Sequence, residues 1–127
     1  MLPEVGDAKM DIRKYQDRLA EFADARNWEQ FHSPKNLSMA LASEAGELLE
    51  LFQWLKEEES TKTSLDNDTL NRVKEELADI LIYLLRIADK LDIDLEEAVN
   101  KKIATNEVKY PVDVSYDNAT KYNRRQP

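Results

Sequence analysis

The sequence predicts an all-α protein, and three observations carry that prediction. Only 2 glycines and 4 prolines interrupt 127 residues. Ala, Leu, Glu and Lys dominate, a mixture that favours helix and gives strands little support. Apolar residues also recur three and four apart through four segments, the period of a helix with one buried side. A chain of this length suits one hydrophobic core.

The rest of the composition removes whole classes of function. With 18 Lys and Arg against 26 Asp and Glu, a formal charge of −8 argues against nucleic-acid binding, which draws its affinity from cations facing phosphates. A small polyphosphate ligand stays open if divalent cations stand between it and the carboxylates. The absence of cysteine excludes disulfides, thiolate metal sites and cysteine nucleophiles, and it is compatible with a reducing cytoplasm. No basic leader precedes an apolar run, and no run approaches the ~20 residues of a membrane span. A soluble, cytoplasmic protein is expected.

Residues 1–9 show no period and read as a frayed lead. Ile12, Tyr15, Leu19 and Phe22 then recur at helical spacing as far as about Asn27. The segment Trp28-Glu29-Gln30-Phe31-His32 is a short aromatic connection, and Ser33-Pro34 reads as an N-cap followed by proline at the first helical position. Such loop aromatics serve equally as plugs between helices or as pocket walls. A second helix is expected from about Pro34 to Lys56, gathering Leu37, Ala40, Leu41, Leu48, Leu51 and Leu55 on one side. Gly46 costs this helix roughly 1 kcal/mol relative to alanine, which suggests a close approach to the backbone there. The polar stretch from Glu57 to Asp68 reads as a solvated linker. A third helix then runs to about Leu91 with Leu70, Val73, Leu77, Ile80, Leu84, Ile87 and Leu91 as its core stripe. Asp94 and Glu97 form a capping-box pattern for a fourth helix, with Leu95, Val99 and Ile103 inward and Pro111 as its stop. Residues 112–127 have neither period nor apolar content for a core and are expected to form a mobile or partner-packed tail.

Helical phase then separates the acids. Glu44 falls inside the apolar arc of the second helix and Glu47 at its edge, while Glu50 lies further round. On the third helix Glu76 is close to the stripe and Asp79 just outside it, whereas Glu75 points about a quarter turn away. Carboxylates on a core-facing side are costly unless protonated, paired or bound to a cation. An i, i+3 pair from each of two adjacent helices makes an open four-carboxylate cradle. Such a cradle suits Mg²⁺, which prefers oxygen ligands and keeps several waters, and a metal held there could serve phosphoanhydride hydrolysis. Tyr83 follows Asp79 by one turn. Lys102 and Asn106 share the inner side of the fourth helix, and Lys109 and Tyr110 come one turn later. A lysine in such a place ordinarily snorkels, but beside carboxylates it becomes a phosphate partner.

The pattern Glu44-x-x-Glu47, a spacer, then Glu76-x-x-Asp79 resembles that of the MazG-like nucleoside triphosphate pyrophosphohydrolases. The similarity extends through W-E-Q-F-H with Pro34 and Asn36, E-A-G-E-L-L-E-L-F-Q-W, E-E-L-A-D-I-L-I-Y, and Lys102, Asn106, Lys109 and Tyr110-Pro111. It looks closest to the dCTP pyrophosphatase branch and covers roughly residues 10–111.

The resemblance implies a single four-helix MazG-like domain over residues 1–111 that assembles into a homotetramer, or else a dimer. It further implies Mg²⁺, with Mn²⁺ as a substitute, on Glu44, Glu47, Glu76 and Asp79. A nucleoside triphosphate would be cleaved to the monophosphate and pyrophosphate, with dCTP or a related modified nucleotide as substrate. Lys102, Asn106, Lys109 and Tyr110 would meet the phosphates. Trp28, Trp54 and Tyr83 would enclose the base, with His32 and Asn36 nearby. Two positions depart from the branch. Leu19 stands where animal members carry histidine, and Lys109 stands where an arginine is usual, exchanging a bidentate fork for a point charge.

Two other readings of the acids compete with this one. In a non-catalytic helical interaction module, the inward acids would pair with cations across an oligomer interface. A di-iron carboxylate bundle would need Glu-x-x-His pairs, and the sole histidine lies in a loop.

Overall fold

The structure, a computed structural model, describes residues 9–125. The lead expected over residues 1–9 therefore lies, except for Lys9, outside the described residues. Among the described residues five α-helices are present: α1 (Ile12–Ala25), α2 (Pro34–Phe52), α3 (Asn67–Lys90), α4 (Leu95–Lys109) and the single turn α5 (Val112–Ser115). No strand occurs among the described residues, so the all-α class read from composition is the class observed. No helix among them is long and apolar enough to cross a membrane.

Each long helix starts on a short oxygen-bearing side chain that satisfies an orphan backbone N–H. Asp11 accepts from the Lys14 N–H at 3.1 Å, Ser33 from Asn36 at 3.1 Å, Asp66 from Thr69 at 2.7 Å and Asp94 from Glu97 at 3.1 Å. Pro34 occupies the first turn of α2, where its missing N–H costs nothing. Asn27 and Asp92 end α1 and α3 with φ of 55° and 52°, a left-handed turn that short polar residues tolerate.

The chain divides into two compact units, one reaching to Asp92 and the other starting at Ile93. In the first, α3 packs along α2 and against α1, with Ala23, Leu37, Leu85 and Ala88 at the centre. The apolar side expected of α2 is the side it turns inward, from Leu37 through Ala40, Leu41, Leu48 and Leu51. α1 and α3 are rotated relative to expectation. Tyr15 and Phe22 are exposed while Gln16 and Ala23 are buried. Leu77, Leu84 and Leu91 likewise point outward, and Leu85, Arg86 and Ala88 are the buried residues of α3. Gln16 tolerates burial because its side-chain amide donates to the Leu85 carbonyl at 3.1 Å.

Two further expectations are corrected. α2 ends at Phe52 rather than Lys56. The connection after it is exposed and carries a 3-10 turn over Glu57–Glu59, in which the Lys56 N–H donates to Glu59. No close approach explains Gly46, because a Cβ there meets nothing within 4 Å. Gly46→Ala is therefore expected to stabilise the protein by about 0.5–1 kcal/mol, readable as a raised Tm. An unchanged or lowered Tm would mean that something packs on this turn of α2 in the assembled protein.

In the second unit, α4 has no buried residue, and Val99 and Ile103, expected inward, are both about half exposed. Residues 112–125, where the sequence suggests a mobile or partner-packed tail, fold back on the end of α4. Arg125 donates to the Ser115 hydroxyl at 3.2 Å and to the Lys109 carbonyl. The Tyr122 N–H donates to the Tyr110 hydroxyl at 3.3 Å. Tyr122 also meets the Tyr110 ring edge-on at 6.0 Å. Side-chain-to-backbone bonds hold this segment, which is why hydrophobic periodicity gives no sign of it.

Candidate functional site

The packing of α2 on α3 brings Glu44, Glu47 and Glu76 together, with a carboxylate oxygen from each lying within 4.8 Å of the others. Glu76 is partly buried and Glu75 exposed, as phase predicts. Asp79 stands outside this tight trio, one turn along α3, and acts on it through its charge. One oxygen each of Glu44 and Glu76 is inaccessible to water and has no hydrogen-bond partner in the protein. Buried acceptors of this kind are ordinarily satisfied.

Mutual proximity shifts all three carboxyl groups upward. Glu44 is raised first by Glu76, with which it would share a proton, while its contact with Glu47 acts the other way and burial and the charge of Asp79 add to the rise. Glu47 is raised chiefly by Glu44. For Glu76 the leading influence, Glu44, is a lowering one. Burial and the neighbouring Glu47 and Asp79 outweigh it and leave the group raised. Three like charges this close hold together as anions only with a counter-charge among them. Unpartnered oxygens, an all-oxygen donor set and room for water on the exposed side fit a hard divalent cation. Tyr83 is held above its ordinary value first by burial, then by Glu44 and Asp79. Its hydroxyl therefore stays protonated, a donor beside the acids.

The aromatic connection lies in the same unit. Asn27 reverses the chain, and the Trp28 N–H reaches back to the Ala23 carbonyl at 2.8 Å. Trp28 meets Phe22 edge-on at 5.8 Å and the His32 ring at 6.3 Å. Asn36 donates its side-chain amide to the Phe31 carbonyl at 3.1 Å, fastening the loop to the first turn of α2. Trp54 does not join these residues. It sits beyond the end of α2, 86% exposed, and forms no aromatic pair among the described residues.

In the second unit, Lys102, Asn106 and Lys109 recur four and three apart along one side of α4. Lys102 and Asn106 are exposed. The Lys109 ammonium lies over the Tyr122 ring at 4.6 Å.

Sequence reasoning missed Arg86. Only 3% of it is exposed, and it donates to Glu29 at 2.7 Å and towards Nδ1 of His32 at 3.3–3.4 Å. Lys90 also donates to Glu29, and Arg13 of α1 donates to Asp89 at 2.8 Å. A signal was available. Glu76, Asp79, Tyr83, Arg86 and Lys90 follow one another at intervals of three, four, three and four, a polar seam down one face of α3.

An all-helical protein with three carboxylates gathered between two packed helices could hold a cation among them. The chain is a member of the MazG-like family, which it matches over residues 39–124. It is similar to dCTP pyrophosphatase 1 of Bos taurus, with 47% identity over 112 residues, and to that of Homo sapiens, with 42% identity over the same length. Both matches take in 88% of this chain and 64% of the relative. The chain thus spans slightly under two thirds of the curated relatives it matches. Among solved structures it is similar to a pyrophosphatase from Archaeoglobus fulgidus, with 39% identity and a TM-score of 0.73, over 85% of this chain and 99% of that one.

Proposed function

We propose that the protein is a Mg²⁺-dependent nucleoside triphosphate pyrophosphohydrolase. It takes a deoxynucleoside triphosphate, dCTP or a related modified nucleotide, to the monophosphate and pyrophosphate. The single observation that carries this reading is the set of three carboxylates within 4.8 Å of one another, two with orphaned oxygens. The mammalian relatives carry the name dCTP pyrophosphatase 1 and add the substrate.

Glu44, Glu47, Glu76 and Asp79 hold the cation, with Mn²⁺ able to replace Mg²⁺. The bound ion supplies positive charge for the phosphate oxygens and makes water more acidic. The chain's own part is positional. The acids orient a water toward the α-phosphorus, and the Tyr83 hydroxyl donates at their edge. Trp28 offers an aromatic face to the base, with His32 and Asn36 beside it. Lys102, Asn106, Lys109 and Tyr110 take the phosphate charge. The domain spans residues 1–111 and works as a homotetramer in the cytoplasm. Leu77, Leu84 and Leu91 on α3 are each left between 38% and 52% exposed, a stripe whose burial against further copies would be favourable.

Purified protein offered each common deoxynucleoside and ribonucleoside triphosphate with Mg²⁺ should release pyrophosphate and monophosphate, fastest from dCTP or a modified cytosine nucleotide. Orthophosphate without pyrophosphate would sink the proposed cleavage site.

A further inference from the structure

Arg86 is the most deeply placed charge in the first unit, and its contacts have a direction. It lies on the seam that carries Glu76, Asp79 and Tyr83, yet its guanidinium reaches Glu29 and His32, which follow Trp28 in the same loop. Its remaining acidic neighbour is Asp89 on its own helix at 3.8 Å. A buried ion pair is a poor device for stability, since apolar side chains of similar volume do as well. A planar fork does give fixed geometry. Nη2 of Arg86 holds the carboxylate of Glu29, and the same Nη2 together with Nε faces Nδ1 of His32, so two points of the loop are tied to one rigid group on α3.

The contact also decides the chemistry of the ring. Arginine only donates, so the nitrogen facing it, Nδ1, must accept. The one proton of the neutral ring is then on Nε2, which points away from Arg86 as a donor. Around the ring stand Arg86 and Lys90 as cations and Glu29 as the acid. Glu29 is already engaged by both cations, which leaves little to stabilise a second proton on the imidazole. Burial and Arg86 accordingly hold His32 below its ordinary value.

We infer that Arg86 is a positioning residue for nucleotide recognition. By binding Glu29 and Nδ1 of His32 it fixes the loop that carries Trp28, and it presents His32 as a neutral Nε2–H donor. This rests on the pyrophosphohydrolase reading of the Trp28 loop. A loop clamped before the nucleotide arrives avoids the ordering cost of binding. Loss of the clamp should therefore raise KM and leave kcat in place, the mark of an interaction equal in ground and transition states.

The sole histidine makes the test clean. In the full-length protein, with ¹⁵N-labelled histidine and no nucleotide, His32 is expected to give the Nε2–H tautomer near neutral pH. Arg86→Lys keeps the charge but loses the fork, and it should return the ring to a mixture of forms and raise KM about tenfold with kcat little changed. Glu29→Gln, at a more exposed position, should move KM the same way by less, and it serves should Arg86→Lys fail to fold. A wild-type ring protonated on Nδ1, or on both nitrogens, overturns the inference whatever the activity. A fall in kcat with KM unmoved overturns it too. The expected tautomer in a protein that turns over no nucleotide overturns the pyrophosphohydrolase reading, and the recognition role falls with it.

Discussion

Glu76→Gln is expected to cut turnover by at least about a hundredfold, the scale on which even groups behind a metal ligand are felt, while the helical signal and oligomer persist. Glu75→Gln should change little. The two residues are adjacent, but Glu76 faces Glu44 and Glu47 across the α2–α3 contact and Glu75 faces solvent. Glu76→Gln should also raise the Tm of the metal-free protein, because the amide relieves the influence of Glu76 that pushes the Glu44 carboxyl upward. A variant more stable and nearly inactive is the signature of a site held under electrostatic strain for function. Steady-state kinetics beside thermal melts decide the matter, and equal losses from Glu75→Gln and Glu76→Gln would refute the phase argument.

Metal and proton should compete for the same carboxylates. Glu44, Glu47 and Glu76 are raised above their unfolded values. Their contribution to folding is thus fully present below the ordinary carboxylate range and is lost as pH rises through the raised values. His32 works in the opposite sense. Its folded value is lowered, so it costs stability as pH falls below the ordinary imidazole value. The acids are therefore isolated by comparing wild type with Glu76→Gln at each pH in chelator. The deficit of the wild type should grow as pH rises above the ordinary carboxylate range. Mg²⁺ should close it, stabilising the wild type by about 1.4 kcal/mol when free metal is ten times its Kd. Indifference to Mg²⁺ at millimolar levels would leave the acids as partners in a non-catalytic interaction module.

The parts of the site that can be read from sequence share one property: they sit in helices whose phase is set by a single apolar side. α2 has such a side, so Glu44 could be placed in its arc and Glu47 at its edge. The apolar residues of α3 fall on two adjoining stripes, Leu77-Leu84-Leu91 and Leu81-Leu85-Ala88. Periodicity picks out an apolar helix without choosing which stripe meets α1 and α2. The same ambiguity placed Tyr15 and Phe22 inward on α1. Arg86 escaped because a basic residue in a helix reads by default as a solvated one. Its partners Glu29 and His32 lie more than fifty residues away, where no local pattern reaches. Trp54 was placed by resemblance, at the end of the run E-A-G-E-L-L-E-L-F-Q-W. α2 stops at Phe52, and the indole stands in a turn.

The polar seam of α3 has a length as well as a sequence. Glu76, at the acidic cradle, and Arg86, at the clamp of the Trp28 loop, are ten positions apart, which at 1.5 Å per residue is about 15 Å along the axis. One rigid helix therefore acts as a ruler with the acids at one mark and the aromatic loop at the other. Its graduation is fixed by backbone hydrogen bonds rather than by any flexible hinge. A ligand gripped at both marks is selected for its reach, independently of which base it carries.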